Sequence, residues 1–133
     1  MGQPLLLDII TFLTDKGIII GDGVDAFRDF IPEEPDSLVA LIEYKGDPAI
    51  PVDQAVHRSV QITTRDKDAD LARQKALEIF KVFVDNRDET CRIDFTPNRF
   101  GQLYLRQPPF RYKTDENNRA YYCFNIGITT TIE

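Results

Sequence analysis

Residues 56–84, VHRSVQITTRDKDADLARQKALEIFKVFV, decide the fold, because the hydrophobic period changes partway through them. Val60, Ile62 and Thr64 alternate with Ser59, Gln61, Thr63 and Arg65, the period of two expected of a strand with one buried face. From Asp68 onward Ala72, Ala76, Ile79, Phe80 and Phe83 recur at helical spacing, and Leu77, Val82 and Val84 widen the same face. The link between them, Arg65 to Asp70, is polar, with aspartates placed to cap the free amides of the helix's first turn. An acidic turn without glycine repels an anion, so this strand-turn-helix unit opens no phosphate site.

Toward the N-terminus, Ser37 to Lys45 reads as a strand with Leu38, Ala40, Ile42 and Tyr44 on one face and Val39, Leu41 and Glu43 on the other. Both faces are largely apolar, as in a central strand covered on two sides. Gly46 to Pro51 is a turn and loop, with Asp47-Pro48 as its turn chemistry. Pro32-Glu33-Glu34-Pro35-Asp36 cannot lie inside a sheet, since proline has no amide to donate, and forms an exposed, stiff approach to the Ser37 strand. Pro4 to Lys16 is a first helix, with Leu5, Leu6, Ile9, Phe12 and Leu13 on one face and Gly17 where a left-handed cap would sit. Ile18 to Ile20 is a brief strand or a buried loop. Gly21-Asp22-Gly23 is a turn, because it lacks the residues of a nucleotide loop.

Toward the C-terminus, Thr90 to Phe95 and Phe100 to Gln107 read as strands, stopped by Thr96-Pro97-Asn98 and Pro108-Pro109. Phe110 to Arg119 is expected as a polar, mobile loop. Ala120 to Ile132 alternates cleanly throughout and is long enough that part of it is expected to leave the sheet as a ribbon or edge. The expected architecture is a single α+β domain over residues 1–133. It has a mixed, mainly antiparallel sheet with two helices packed mainly on one face, plus an extended β-hairpin or loop.

Composition excludes several classes. The chain has 42% hydrophobic and 29% charged residues, values of an ordinary folded domain. It has no apolar run near the ~20 residues that span a bilayer, and no basic residue precedes the apolar N-terminal stretch, so neither a membrane helix nor a secretory signal is expected. A net charge of −6 argues against general nucleic-acid wrapping. Cys91 and Cys123, with the single histidine His57, make no zinc-ligand set and are expected as buried strand thiols.

One arrangement resembles a magnesium nuclease: Asp36 with Glu43-Tyr44-Lys45, two carboxylates for the metal and a lysine for the attacking water. The carboxylates flank one strand, roughly 23 Å apart at the extended rise per residue, too far to share an ion. His57, Arg58 and Ser59 are neighbours on a strand and point apart, so they form no nucleophile triad. Arg92, Arg99, Arg106, Arg111 and Arg119 are interleaved with Tyr104, Tyr112, Tyr121 and Tyr122, and Tyr and Arg are the residues that anchor protein interfaces.

The order of these elements resembles the tail terminator, tail completion or minor capsid proteins of long-tailed phages. The likeness rests on the N-terminal helix, Ile31-Pro32-Glu33-Glu34-Pro35-Asp36 leading into Leu38–Tyr44, Gly46, the strand Ser59 to Arg65, the helix Ala69 to Val84 and the closing strand Tyr121 to Thr131. It implies a structural virion protein with no enzymatic activity, cofactor or metal. Such a protein forms a homo-oligomeric, hexameric ring on the tail tube protein, ends tail elongation and meets the head connector or completion protein. Genome DNA would pass through without specific binding, and assembly would occur in the host cytoplasm with no membrane involved. Interface residues expected on this reading are Glu33, Glu34, Asp36, Asp47, Arg65, Arg106, Arg111, Tyr112, Lys113 and Arg119, with the Gly46–Val52 and Phe110–Arg119 loops in the contacts.

Overall fold

Two strands paired along twelve residues form the spine: β3 (Ala55–Asp66) and β7 (Ala120–Thr131) run antiparallel from Ala55 opposite Thr131 to Asp66 opposite Ala120. The computed structural model describes residues 4–44 and 55–131. Around the spine lie α1 (Leu5–Asp15), β1 (Ala26–Arg28), β2 (Leu38–Tyr44), α2 (Ala69–Asn86), β4 (Arg92–Thr96), β5 (Arg99–Leu105) and β6 (Phe110–Thr114). They build one α+β domain with a mixed, curled seven-stranded sheet in the order β1-β2-β3-β7-β5-β4, with β6 also on β7. Among the described strand pairs, only β1–β2 is parallel.

The unit that opened the sequence folds as its pattern requires. Val60 and Ile62 point into the core, and Asp68 caps α2 by accepting from the Asp70 amide at 2.9 Å. Ala72, Ala76, Ile79 and Phe83 bury one stripe of α2, with Phe80 and Val82 packed at its border. That stripe is narrower than expected: Leu77 and Val84 face solvent. In α1, Leu5, Ile9 and Leu13 are fully buried and Gly17 takes a positive φ of 76° just beyond the helix.

Both helices press on the same sheet face. The core joins Leu5, Ile9, Phe12 and Leu13 to Val39, Leu41, Val60, Ile62, Ile93, Leu103, Phe124, Ile126 and Ile128. Each such side chain contributes ~1.5–3 kcal/mol on burial, before chain entropy is set against it. Phe83 is the aromatic hinge of this core. It stacks on Phe12 with centroids 5.9 Å apart and meets Phe124 edge-on at 6.4 Å, so it ties α1, α2 and β7 together.

Four expectations change. Phe110–Arg119 is not a loop: Phe110–Thr114 pairs with β7 and the turn that follows returns a buried Arg119. β7 does not leave the sheet. It is central, and its length serves β3 on one side and both β5 and β6 on the other. Cys91 lies outside β4 with φ 66° and is only half-buried, so it does not share the face of Ile93 and Phe95, whereas Cys123 is buried on β7. A short strand, β1, lies where none was expected, while Ile18–Ile20 takes the loop form, with Ile19 buried, of the two expected for it. The Gly46–Val52 loop lies outside the described residues.

Because β1 and β2 are parallel neighbours, the chain must cross back from the end of one to the start of the other. Residues 29–37 make that crossover without a helix, opposite the helical face where Arg65 projects. A bare crossover leaves carbonyl groups that need donors.

Candidate functional site

Two buried arginines supply those donors. Arg65, on β3, is 2% exposed and donates from Nε to the Asp36 carbonyl at 3.2 Å and from Nη2 to the carbonyls of Glu33 at 3.1 Å and Pro35 at 2.6 Å. Arg119, 3% exposed at the start of β7, donates to the Glu33 carbonyl, the Glu33 carboxylate and Asp36. Its Nε also pairs with Asp115 Oδ2 at 2.8 Å. A planar guanidinium with five fixed donors suits several acceptors converging from one loop, which a lysine could not match.

Asp115 organises the β6–β7 turn. It accepts from the amides of Asn117 and Arg119, from the Arg119 guanidinium and from the Tyr121 hydroxyl at 3.0 Å. Burial alone would raise its pKa, but these donors outweigh it and hold the carboxyl at about 2. The same contact holds Arg119 more firmly protonated, again against the effect of burial.

The expected site residues thus fall into separate places. Glu33, Asp36, Arg65 and Arg119 come together in this clasp, where the arginines are internal and the acids keep an exposed edge; Glu34 beside them is exposed. Arg111, Tyr112 and Lys113 lie together on β6, every residue of which is exposed. Tyr112 meets Tyr121 edge-on at 5.7 Å, with Lys113 Nζ 4.5 Å from the Tyr121 ring centre. Although Tyr112 counts among the exposed residues, its phenol is partly covered by the sheet, and that partial burial pushes it up from its ordinary pKa; burial does the same to the Cys123 thiol. Arg106 stands apart, donating to His57 Nε2 at 2.9 Å and Ser59 Oγ at 3.2 Å. Asp47 lies outside the described residues.

The Arg106 contact fixes the imidazole. Nε2 must accept, so Nδ1 carries the proton toward Thr129 Oγ1, 3.0 Å away. Gly127 opposite leaves room for this: a Cβ there would lie 2.9 Å from His57 Cε1 and 3.1 Å from Arg106 Nη2.

No metal or nucleolytic centre forms among the described residues. Asp36 joins the clasp at one end of β2, while Glu43 at the other end holds Arg58 through both carboxylate oxygens. Lys45 lies outside the described residues. No group of three His, Cys, Asp or Glu side chains is placed to hold a metal ion, and no helix is long and apolar enough to cross a membrane, among the described residues.

One exposed apolar group is not singled out by the sequence pattern. Ile20, Val24 and Phe30, at 73%, 55% and 56% exposure, are the most exposed large apolar side chains among the described residues, and they flank β1. Isolated apolar residues among Asp22, Asp25 and Asp29 were the available signal.

The family model described as bacteriophage tail terminator protein matches residues 12–132, nearly the whole chain. No curated protein matches it. The chain therefore belongs to the bacteriophage tail terminator protein family, structural components of the virion tail.

Proposed function

We propose that copies of this chain close into a six-membered ring on the last ring of the tail tube, stop its elongation and offer the opposite side of the ring to the head connector. The observation that carries this reading is the match of residues 12–132 to the tail terminator family. The fold supports it physically. A long β3–β7 spine with both helices on one face makes a stiff subunit, and stiffness is what lets a subunit stop growth by presenting a fixed surface. The net charge of −6 suits a ring around a DNA path, because an acidic wall does not hold the passing genome. Assembly takes place in the host cytoplasm, and the ring remains in the virion at the head–tail junction.

Imaging of tails isolated from particles tests this. The expected result is one extra ring of density at the head-proximal end of the tube, absent from tails made without this chain and restored when it is added. Identical tube ends with and without the chain would overturn the reading.

A further inference from the structure

The chain's charge is sharply divided. Residues 20–36 hold six acids against the single Arg28, while residues 99–114 hold Arg99, Arg106, Arg111 and Lys113 and no acid. Arg99 is consumed internally by Asp8 at 2.9 Å. The others stay near the surface without a carboxylate partner among the described residues: Arg111 donates to the Thr114 hydroxyl, Lys113 sits over tyrosine rings, and Arg106 donates to His57 and Ser59.

While Glu33 and Asp36 fold back onto the clasp at Arg65 and Arg119, β1, in the acidic segment, and β6, in the basic one, lie at opposite edges of the sheet. Across its upper half the order is β1, β2, β3, β7, β6, and Phe27, Ala40, Thr63, Cys123 and Phe110 stand in one row. Four strand spacings separate the ends of that row, about 19 Å at ~4.8 Å each. The β1 edge therefore does not reach the β6 edge of its own chain, and among the described residues β2 is the one strand paired with β1, whose outer side carries just a single bridge from Asp22 to Ala26.

The two edges are complementary in more than charge. The β1 edge exposes Ile20, Val24 and Phe30 among Asp22, Asp25 and Asp29. Asp25 is held by the Ile20 and Gly21 amides and Asp29 by the Glu43 amide, so both carboxylates are fixed in place with no basic partner among the described residues. The β6 edge exposes Phe110 and Tyr112 between Arg111 and Lys113. The bulge between Arg111 and Lys113 breaks the regular ladder, which disfavours simple strand addition and leaves side chains to make the contact.

We propose that the β6 edge of one copy, through Phe110, Arg111, Tyr112 and Lys113, docks on the acidic and apolar β1 edge of the next copy. This rests on the ring reading above and gives it a specific interface. Two different patches at opposite edges make a head-to-tail contact, and a head-to-tail contact with the right rotation closes into a ring rather than stopping at a dimer.

The test uses the full chain assembled on tails, with Phe110→benzoylphenylalanine as a photo-crosslinking probe and mass spectrometry of the adducts. The expected result is a ladder of chain-to-chain adducts linking position 110 to residues 20–30 of another copy. In parallel, Arg111→Glu with Lys113→Glu, both on exposed side chains, is expected to lower ring occupancy at least tenfold while far-UV circular dichroism and the melting temperature stay unchanged. Adducts from 110 to 110, adducts solely to the tail tube protein, or undiminished occupancy in the charge-reversed variant would overturn the inference. If rings are imaged but the adducts map elsewhere, this interface alone fails; if no ring is imaged, the proposed function fails with it.

Discussion

Replacing Arg65 with methionine isolates the clasp that holds the β1–β2 crossover. Methionine fills much of the volume of the arginine stem but donates nothing. Arg65→Met therefore strips donors from the carbonyls of Glu33, Pro35 and Asp36 and removes the guanidinium from over the Tyr121 ring, 5.7 Å away. A hydrogen bond from a charged donor is worth ~1.5–3 kcal/mol, and a buried acceptor left without a donor costs ~1–3 kcal/mol. Three such bonds do not add fully, because the Glu33 carbonyl keeps its Arg119 donor and, with Glu33 exposed, water reaches that end of the loop. The expected loss is about 2–4 kcal/mol, a large part of the ~5–15 kcal/mol that holds a typical domain folded. Urea unfolding followed by far-UV circular dichroism measures it, with Arg73→Met on the exposed face of α2 as control. A surface change of that kind shifts stability by no more than ~0.5 kcal/mol. The denaturant slope should be the same in both variants, since neither changes the surface exposed on unfolding. A loss at Arg65 within ~1 kcal/mol of the control would refute the assignment of these carbonyls to Arg65.

Three further outcomes follow from the geometry. Asp115 has a folded-state pKa of about 2, below its ordinary 3.8, so its stabilising contribution is complete above about pH 4 and lost as pH falls toward 2. Asp115→Asn should flatten that part of the acid-unfolding curve, and an identical acid limb in both proteins would contradict it. Gly101→Ala places a Cβ 2.8 Å from the Thr129 backbone oxygen, whereas Gly127→Ala meets the movable side chains of His57 and Arg106. Both overpack by ~1–3 kcal/mol, and thermal melts should show Gly101→Ala as the more damaging; the reverse order would count against the packing described. Phe83→Ala removes the ring shared by Phe12 and Phe124 and should cost ~3–5 kcal/mol in the same melts, while a cost below ~1 kcal/mol would mean the aromatic contacts carry little.

The elements that proved legible in the sequence are those with a long, unbroken period. α1, α2, β2, β3 and β7 each repeat their pattern enough times to declare both type and buried face. The missed strands lack that repetition. β1 has three residues, and β6 has five residues that are all exposed, so neither shows the alternation a half-buried strand would. β7 announced itself as a strand, but its central place did not, because alternation is the same whether one neighbour pairs with a strand or three do. Leu77 and Val84 border the α2 stripe in the sequence pattern, and which border residues a sheet covers depends on its curl.

The candidate surface was readable as composition and not as arrangement. Arg65 and Arg119 were named, yet their partners at Glu33 lie 32 and 86 positions away in the chain, and pattern within a window carries no such information. The division of charge between residues 20–36 and 99–114 is visible in the sequence itself. That β1 in the first and β6 in the second occupy opposite sheet edges needed the register of five strands.

The most direct test of the account is the length distribution of tail tubes assembled with and without this chain, measured by electron microscopy of negatively stained tails. The account predicts a single narrow length when the chain is present and overgrown tubes without joined heads when it is removed, with the narrow length restored by adding it back. Tubes of the same narrow length in its absence would contradict the claim that this chain ends tail growth.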